Sequence, residues 1–520
     1  MASEGIDVMN SPLQVPSIEK TRHLLLDTDS RKLANEIRDL PYADIPSALL
    51  IAHRRLHAFN RFSMPPAKRL ELLRPFHYAF LRFSEHYRRH FEQGAFAREL
   101  SPGELDNLLE FLRELAIGFK HLVHETIARN KRPTGVALIL YMALNYLHHF
   151  ALFSFNRGRM LKPSFWREVH YLYFAAREMD QHQSELQTPD GRQVMIEQIY
   201  KQIVLLGLCS PFGMSPEEHW RCHDYVSRFA GFVEITKPDD LTDFEEGYTV
   251  SALCTQPAQI PDFNSVMDGS TRLLDLAKFV DNLQRHIDAI KGGESLRIVG
   301  MERQQRKNVL DLLVKLHNNW TRNPIRKNPR APLSEQIGLV WGLENICAML
   351  DPVLRRQMAM SPRSRNSENR GWTNAENQSS TGICLRLNNP EDHYPEAGQV
   401  VALIRQRGEQ KILEIGLVQW CAIDNSNIAS LGIERLLGRA NKVTIMPQDD
   451  QGTERNGLLI VARTSDGRAK SMLVCPTGML KPGGRTQVYS SQQVGDLYLE
   501  AFAVTHRTRQ VETFEIRALQ

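Results

Sequence analysis

Arg322, Arg326 and Arg330 recur at every fourth position, and further on Asn377-Gln378-Ser379-Ser380-Thr381-Gly382 stands directly before the apolar run Ile383-Cys384-Leu385. These stretches carry the residue types best suited to chemistry in the chain. A guanidinium fork grips a phosphate through paired N–H donors, and the same fork matches O6 and N7 of guanine. Short asparagine and serine side chains supply donors and acceptors at a strand entry, and glycine lets a ligand come close to the backbone. Pro324 and Pro329 disfavour helix in the asparagine before each. The arginines are therefore expected on an extended linker rather than along a helix. Alone, each stretch has a plain alternative: solvated charge for the arginines, an ordinary turn for Asn377 to Gly382.

The elements that must position these residues are strands on one side and helices on the other. Strand-like runs bounded by turn residues follow Arg330: 337–341, 383–387, 400–405, 411–421 and 441–445, then 458–463, 469–475, 486–489 and 496–505. Ser465-Asp466-Gly467 reads as a hairpin turn. Residues 352–376, rich in Arg, Asn and Ser, read as an inserted flexible loop.

Before the linker the period is helical. Leu105, Leu108, Leu109, Leu112, Leu115, Ala116, Phe119, Leu122 and Val123 follow the spacing that gathers apolar groups on one helix face. Ser101-Pro102-Gly103-Glu104 and Ser215-Pro216-Glu217-Glu218 supply a capping serine, a first-turn proline and a glutamate able to reach back. Helices are expected near 30–39, 43–61, 66–95, 102–129, 134–155, 163–182, 191–208 and 215–229. Consecutive amphipathic helices bury their stripes on one another, giving a bundle or irregular solenoid. Residues 231–320 mix short strands (232–235 and 248–251) with helices over 270–291 and about 301–319. Residues 1–29 read as a mobile tail. Gly135 to Phe155 has no Asp, Glu, Lys or Arg and is long enough to cross a bilayer, but Asn145, His148 and His149 would be costly in lipid. A buried central helix is the expectation.

Composition excludes several classes. With 42% hydrophobic and 24% charged residues the chain is not broadly disordered, and a net charge of +4 is too small for bulk nucleic-acid coating. The seven cysteines stand singly, without CxxC, so neither a zinc site nor a disulfide framework is expected, and a reducing compartment fits them. The N-terminal residues lack a secretory signal, so cytoplasm is the expected location. His86/His90, His121/His124 and His148/His149 read as structural, and no metal site is expected. No G-x-S-x-G, P-loop or G-x-G-x-x-G is present, and no enzymatic activity is expected.

The Arg-x-x-x-Arg linker followed by Asn-x-Ser-x-x-Gly resembles the PilZ domain, a bacterial receptor for cyclic di-GMP. Glu414-Ile415-Gly416-Leu417-Val418-Gln419-Trp420 and Leu431-Gly432-Ile433-Glu434-Arg435-Leu436 resemble that family's later strand pair. The resemblance covers residues 322–446. It implies a multidomain α + β chain: an all-α bundle or solenoid followed by a PilZ-like antiparallel β-barrel with extra strands. Its expected divisions are a tail (1–29), a helical domain (30–230), a connecting region (231–320), a barrel (321–446) and a C-terminal β extension (447–520). It implies cyclic di-GMP as ligand and no other cofactor. Arg326 and Arg330 would wrap over the ligand, with Arg322/Arg326 as a second register, and Asn377, Ser379 and Gly382 would hold it on the barrel. The stretch from Arg330 to Asn377 is longer than the family's usual spacing. Arg355, Arg356, Arg363, Arg365 and Arg370 within it offer other registers. The helical N-terminal region and overall size are similar to the FimW-type receptors of Pseudomonas, which act in type IV pilus assembly and surface attachment. That likeness implies a protein partner engaged through the helices and recruitment to the cell pole or envelope machinery; the polar residues of 135–155 and the small net charge point to no membrane span and no nucleic acid. The alternatives are a ligand-free scaffold or chaperone-like adaptor, and a nucleic-acid binder using the basic linker.

Overall fold

Asp29 and Asp44 start the helical half. In the computed structural model the Asp29 carboxylate accepts from the amides of Arg31 and Lys32 at 2.8 and 3.1 Å, and Asp44 accepts from Ser47 N at 3.3 Å. Each side chain thus satisfies first-turn donors that have no partner within the helix. The structure describes residues 11–18, 28–92, 102–128, 135–237, 247–260, 269–321, 329–351, 372–388, 395–407, 410–447, 454–463, 469–489 and 497–519. The hairpin expected at Ser465 to Gly467, and Ser101 of one capping motif, lie outside them.

The chain forms two compact units, one chiefly the residues up to Ile325 and one chiefly Arg326 onward. The first begins with α1 (Ser30–Arg38), α2 (Ile45–Asn60), α3 (Pro66–Glu92), α4 (Pro102–Ala128), α5 (Val136–Asn156) and α6 (Pro163–Glu178). A short hairpin of β1 (Leu186–Gln187) and β2 (Gln193–Val194) precedes α7 (Ile196–Leu208) and α8 (Pro216–Phe229). α5 is the bilayer-length helix, and 83% of its apolar window is buried. It packs against α4, α6, α7 and α8, as a central bundle helix should.

β3 (Glu234–Thr236), β4 (Tyr248–Val250) and β5 (Arg272–Asp275) form an antiparallel sheet with β5 in the middle. The sequence pattern extends the next helix back to residue 270. Instead α9 (Ala277–Lys291) starts after β5, where the Asp275 carboxylate accepts from Ala277 N at 2.8 Å. α10 (Arg306–Thr321) ties this region to the bundle. Asn319 Nδ2 donates to Cys209 O at 2.7 Å, Trp320 Nε1 to Leu205 O at 3.2 Å, and Lys315 pairs with Glu218 at 2.9 Å. At the other end, residues 11–18 are seated on the unit, with Leu13 only 6% exposed, where the sequence suggested a mobile tail.

The second unit holds two closed six-stranded antiparallel barrels. The first runs through β6 (Ala331–Trp341), the helix α11 (Leu343–Leu350), β7 (Trp372–Gln378), β8 (Gly382–Asn388), β9 (Val400–Arg407), β10 (Gln410–Ile423) and β11 (Ile428–Leu436). Its strand order is β10-β11-β8-β7-β6-β9. The second is made of β12 (Arg439–Pro447), β13 (Arg455–Arg463), β14 (Ala469–Pro476), β15 (Arg485–Tyr489), β16 (Leu497–Arg507) and β17 (Val511–Ala518), ordered β12-β13-β14-β17-β16-β15. The expected C-terminal extension is thus a barrel of its own. β12 pairs with β13 and β15, which places the change of barrel at Gly438 rather than at residue 446. Gly438 has φ +139, and a Cβ there would meet the Val461 carbonyl at 2.8 Å, so only glycine fits the turn between barrels.

Of the loop expected over 352–376, residues 352–371 lie outside the described residues, and 372–376 belong to the strand β7 between β6 and β8. Its inward residues Thr373 and Ala375 are small, so the strand shows no apolar alternation. Ile346 and Cys347 of α11 are fully buried between the barrels, against Val400 and Leu417 of the first and Leu458, Ile460 and Val474 of the second.

Candidate functional site

The turn between β7 and β8 is built by its own polar residues. Ser379 N donates to Gly382 O at 2.8 Å, while Gly382 N donates to the Ser379 hydroxyl at 3.0 Å. The Ser379 carbonyl faces Arg435 near the end of β11, whose Nη2 donates to Ser379 O at 2.7 Å and Ser380 O at 3.0 Å. Arg435 N also donates to Thr381 O at 2.8 Å. Sequence reasoning passed over Arg435. Its importance arises from the β8–β11 pairing, in which Glu434 lies opposite Gly382 and the next residue meets the turn.

Arg435 is held from behind by Glu414, 3.6 Å from its Nη1, and Glu414 also faces Arg405 at 3.8 Å. Arg405 in turn is bound by Glu335 through both its Nε and Nη2, and these contacts raise its pKa above the usual value. The acids therefore lie behind the arginines, and Arg435 Nε remains buried without a hydrogen-bond partner among the described residues.

In front lies an open cleft of about 400 Å³ lined by Pro329, Arg330, Ala331, Gln378, Ser379, Ser380 and Arg435. Among the described residues its charged lining consists of two guanidinium groups and no carboxylate. Arg330 is exposed, and among the described residues nothing pairs with it. Ala331 lies opposite Gln378 in the β6–β7 ladder, which brings Arg330 beside Ser379. The cleft thus offers two cations, the serine hydroxyls and the Gln378 amide, a set suited to an anion with further polar edges.

Of the residues expected at the site, Arg330 and Ser379 line this cleft, and Gly382 shapes the turn beneath it. Asn377 sits one step inside β7 with its side-chain oxygen buried and without a hydrogen-bond partner among the described residues. Arg322 and Arg326 lie outside the described residues.

The two glycine motifs support the same corner. Trp420 lies opposite Gly432, and a Cβ on Gly432 would fall 1.9 Å from the indole Nε1. A Cβ on Gly416 would meet Ile433 Cγ2 at 2.4 Å and Glu434 O at 2.9 Å. The glycines let β10 and β11 close tightly, and this fixes where Arg435 emerges.

Other groups of titratable residues are less apt. Among the described residues, His53, His57 and Glu114 have their ligand atoms within 4.8 Å of one another. Glu114, however, already binds Arg61 at 2.9 Å, His57 Nδ1 at 3.0 Å and Asn60 Nδ2 at 2.8 Å. His148 is buried and His149 half-buried in α5, both beside His223, and desolvation pushes both well below the ordinary histidine value.

Residues 31–239 match a family model described as the N-terminal domain of the cyclic-di-GMP receptor FimW. The cyclic-di-GMP receptor FimW of Pseudomonas aeruginosa is 24% identical over 201 residues, covering 38% of this chain. The chain spans about a third (33%) of the length of that curated relative. The helical unit is thus FimW-like from α1 to β3, and the family match ends before the barrels begin.

Proposed function

We propose that this chain is a cyclic di-GMP receptor that takes the nucleotide into the cleft between Arg330, the Ser379–Gly382 turn and Arg435. The observation that carries the reading is the cleft's lining: among the described residues, two guanidinium groups with no carboxylate, beside a turn whose carbonyls are held by Arg435. A cyclic dinucleotide presents phosphate charge and guanine edges together, and arginine forks serve both. The FimW-like helical unit and the name of the relative support this ligand. Arg326, with Arg322 as the alternative register, is assigned to close over the ligand from the linker, and Asn377 to support it from β7.

The reading assigns the barrels a PilZ-like role, with binding as the output and no catalytic step. The helical unit engages a protein partner, and ligand shifts that engagement to the extent that it binds the two arrangements with different affinity. The process we assign is type IV pilus assembly and surface attachment, acting from the cytoplasm. The test is cyclic di-GMP binding by Arg330→Ala and Arg326→Ala. Each substitution removes charge-assisted contacts worth about 1.5–3 kcal/mol, a loss of about 10- to 150-fold in affinity. Unchanged affinity in both variants would show that the nucleotide does not use this linker.

A further inference from the structure

Ser11-Pro12-Leu13-Gln14-Val15-Pro16-Ser17-Ile18 lies on the helical unit without secondary-structure pairing. Leu13 is its buried side chain, at 6% exposure. The next residue, Gln14, leaves its side chain in solvent and donates its backbone N–H to Glu168 Oε1 at 2.6 Å. The same oxygen accepts from Lys120 Nζ at 2.7 Å, and the two side chains are only 4% and 6% exposed. Lys120 comes from α4 and Glu168 from α6, so rigid elements hold this ion pair. Ser11 stands beside the Tyr171 hydroxyl, one turn further along α6.

An ion pair buried this deeply is tolerated when additional hydrogen bonds satisfy its remaining lone pairs. Here the additional donor is a main-chain amide, which nearly any residue supplies. The seat therefore reads one apolar side chain and the amide that follows it. Pro12 and Pro16 bracket these contacts and favour an extended backbone. The seat is costly and rigid, whereas the occupant contributes a single buried side chain. An occupant of this kind is exchangeable.

We infer that the site over Lys120 and Glu168 docks an extended peptide segment of a protein partner, and that Ser11–Ile18 is the chain's own occupant, seated until a partner segment replaces it. The fitting segment carries a branched apolar residue followed by any residue other than proline, with prolines on either side. Tethering raises the effective concentration of the internal segment to about the millimolar range for short linkers, so it competes strongly with a free peptide. This inference does not rest on the nucleotide site.

The test uses the full chain and a fluorescent peptide of sequence SPLQVPSI. Leu13→Asp in the protein unseats the internal segment, and Gln14→Pro, which deletes the amide donor, is a second way to do so. The labelled peptide should bind both variants saturably and bind the wild-type chain at least about tenfold more weakly. Peptides carrying Leu13→Asp or Gln14→Pro should lose at least about tenfold in affinity for the same protein. The peptide controls leave folding of the protein untouched. Failure of the parent peptide to bind either variant, or equal binding by all three peptides, would overturn the inference. A concentration-dependent wild-type dimer that Leu13→Asp abolishes would also overturn it, because the segment would then sit on a second copy.

Discussion

Arg435 shows how one side chain can build a site while barely reaching solvent. Its Nη2 donates to two turn carbonyls, and its Nη1 faces Glu414. Arg435→Ala leaves those groups with fewer partners and should cost about 1–3 kcal/mol in urea unfolding of the barrel unit, together with nucleotide affinity. Arg435→Lys keeps the charge but lacks the planar fork, so it should recover only part of either loss. Equal stability of all three proteins would show that the turn stands without the guanidinium. Gly432→Ala pushes a methyl into Trp420 and should destabilise by about 1–3 kcal/mol in the same experiment. At this scale the sequence was informative where residues act through local spacing: Arg330 and Ser379 do meet at one cleft. It was uninformative for Arg435, whose turn partners Ser379 and Ser380 lie across strands and more than fifty positions away in the chain.

At the scale of elements, apolar periodicity revealed the long helices, and α5 in particular, because their stripes are wide and continuous. β7 was hidden because its inward face carries Thr373 and Ala375 rather than large apolar groups. β17 was hidden because Glu512 and Thr513 are buried inside its otherwise apolar start, Glu512 being paired with Arg507. α11 bridges the barrels, so Ile346→Ala should cost about 2–5 kcal/mol and lower the unfolding midpoint of both barrels together. Separate transitions, with one barrel unchanged, would count against a shared core. The helical elements also carry a pH signature. Burial holds His121, His170 and His219 down to about 4, against about 6.5 in an unfolded chain. Between pH 6.5 and about 4 the unfolded chain takes up protons that these sites refuse. Stability should therefore fall by about 1.4 kcal/mol per pH unit for each group across that window, with no slope from them above it. Urea midpoints measured from pH 7 down to 4.5 check this. His170→Gln should flatten the slope by one proton's share, and an unaltered slope would remove His170 from the account.

At the scale of the whole molecule, composition and the order of patterns were enough to expect helices first and a barrel after them. They did not reveal that the last strands close into a second barrel, because closure depends on β12 pairing with β15 across intervening chain. Nor did they reveal that residues 11–18 are seated, since a single leucine and one main-chain amide leave no periodic trace. The two units divide the work in this account. The proposal assigns partner binding to the helices that are similar to FimW, and cyclic di-GMP binding to the cleft on the barrel unit. The most direct measurement is calorimetric titration of the full chain with cyclic di-GMP, with GTP as the control. The account predicts saturable heat for cyclic di-GMP and none for GTP. Absence of binding with cyclic di-GMP at several hundred micromolar (~10⁻⁴ M, weaker than about −5.5 kcal/mol) would contradict it.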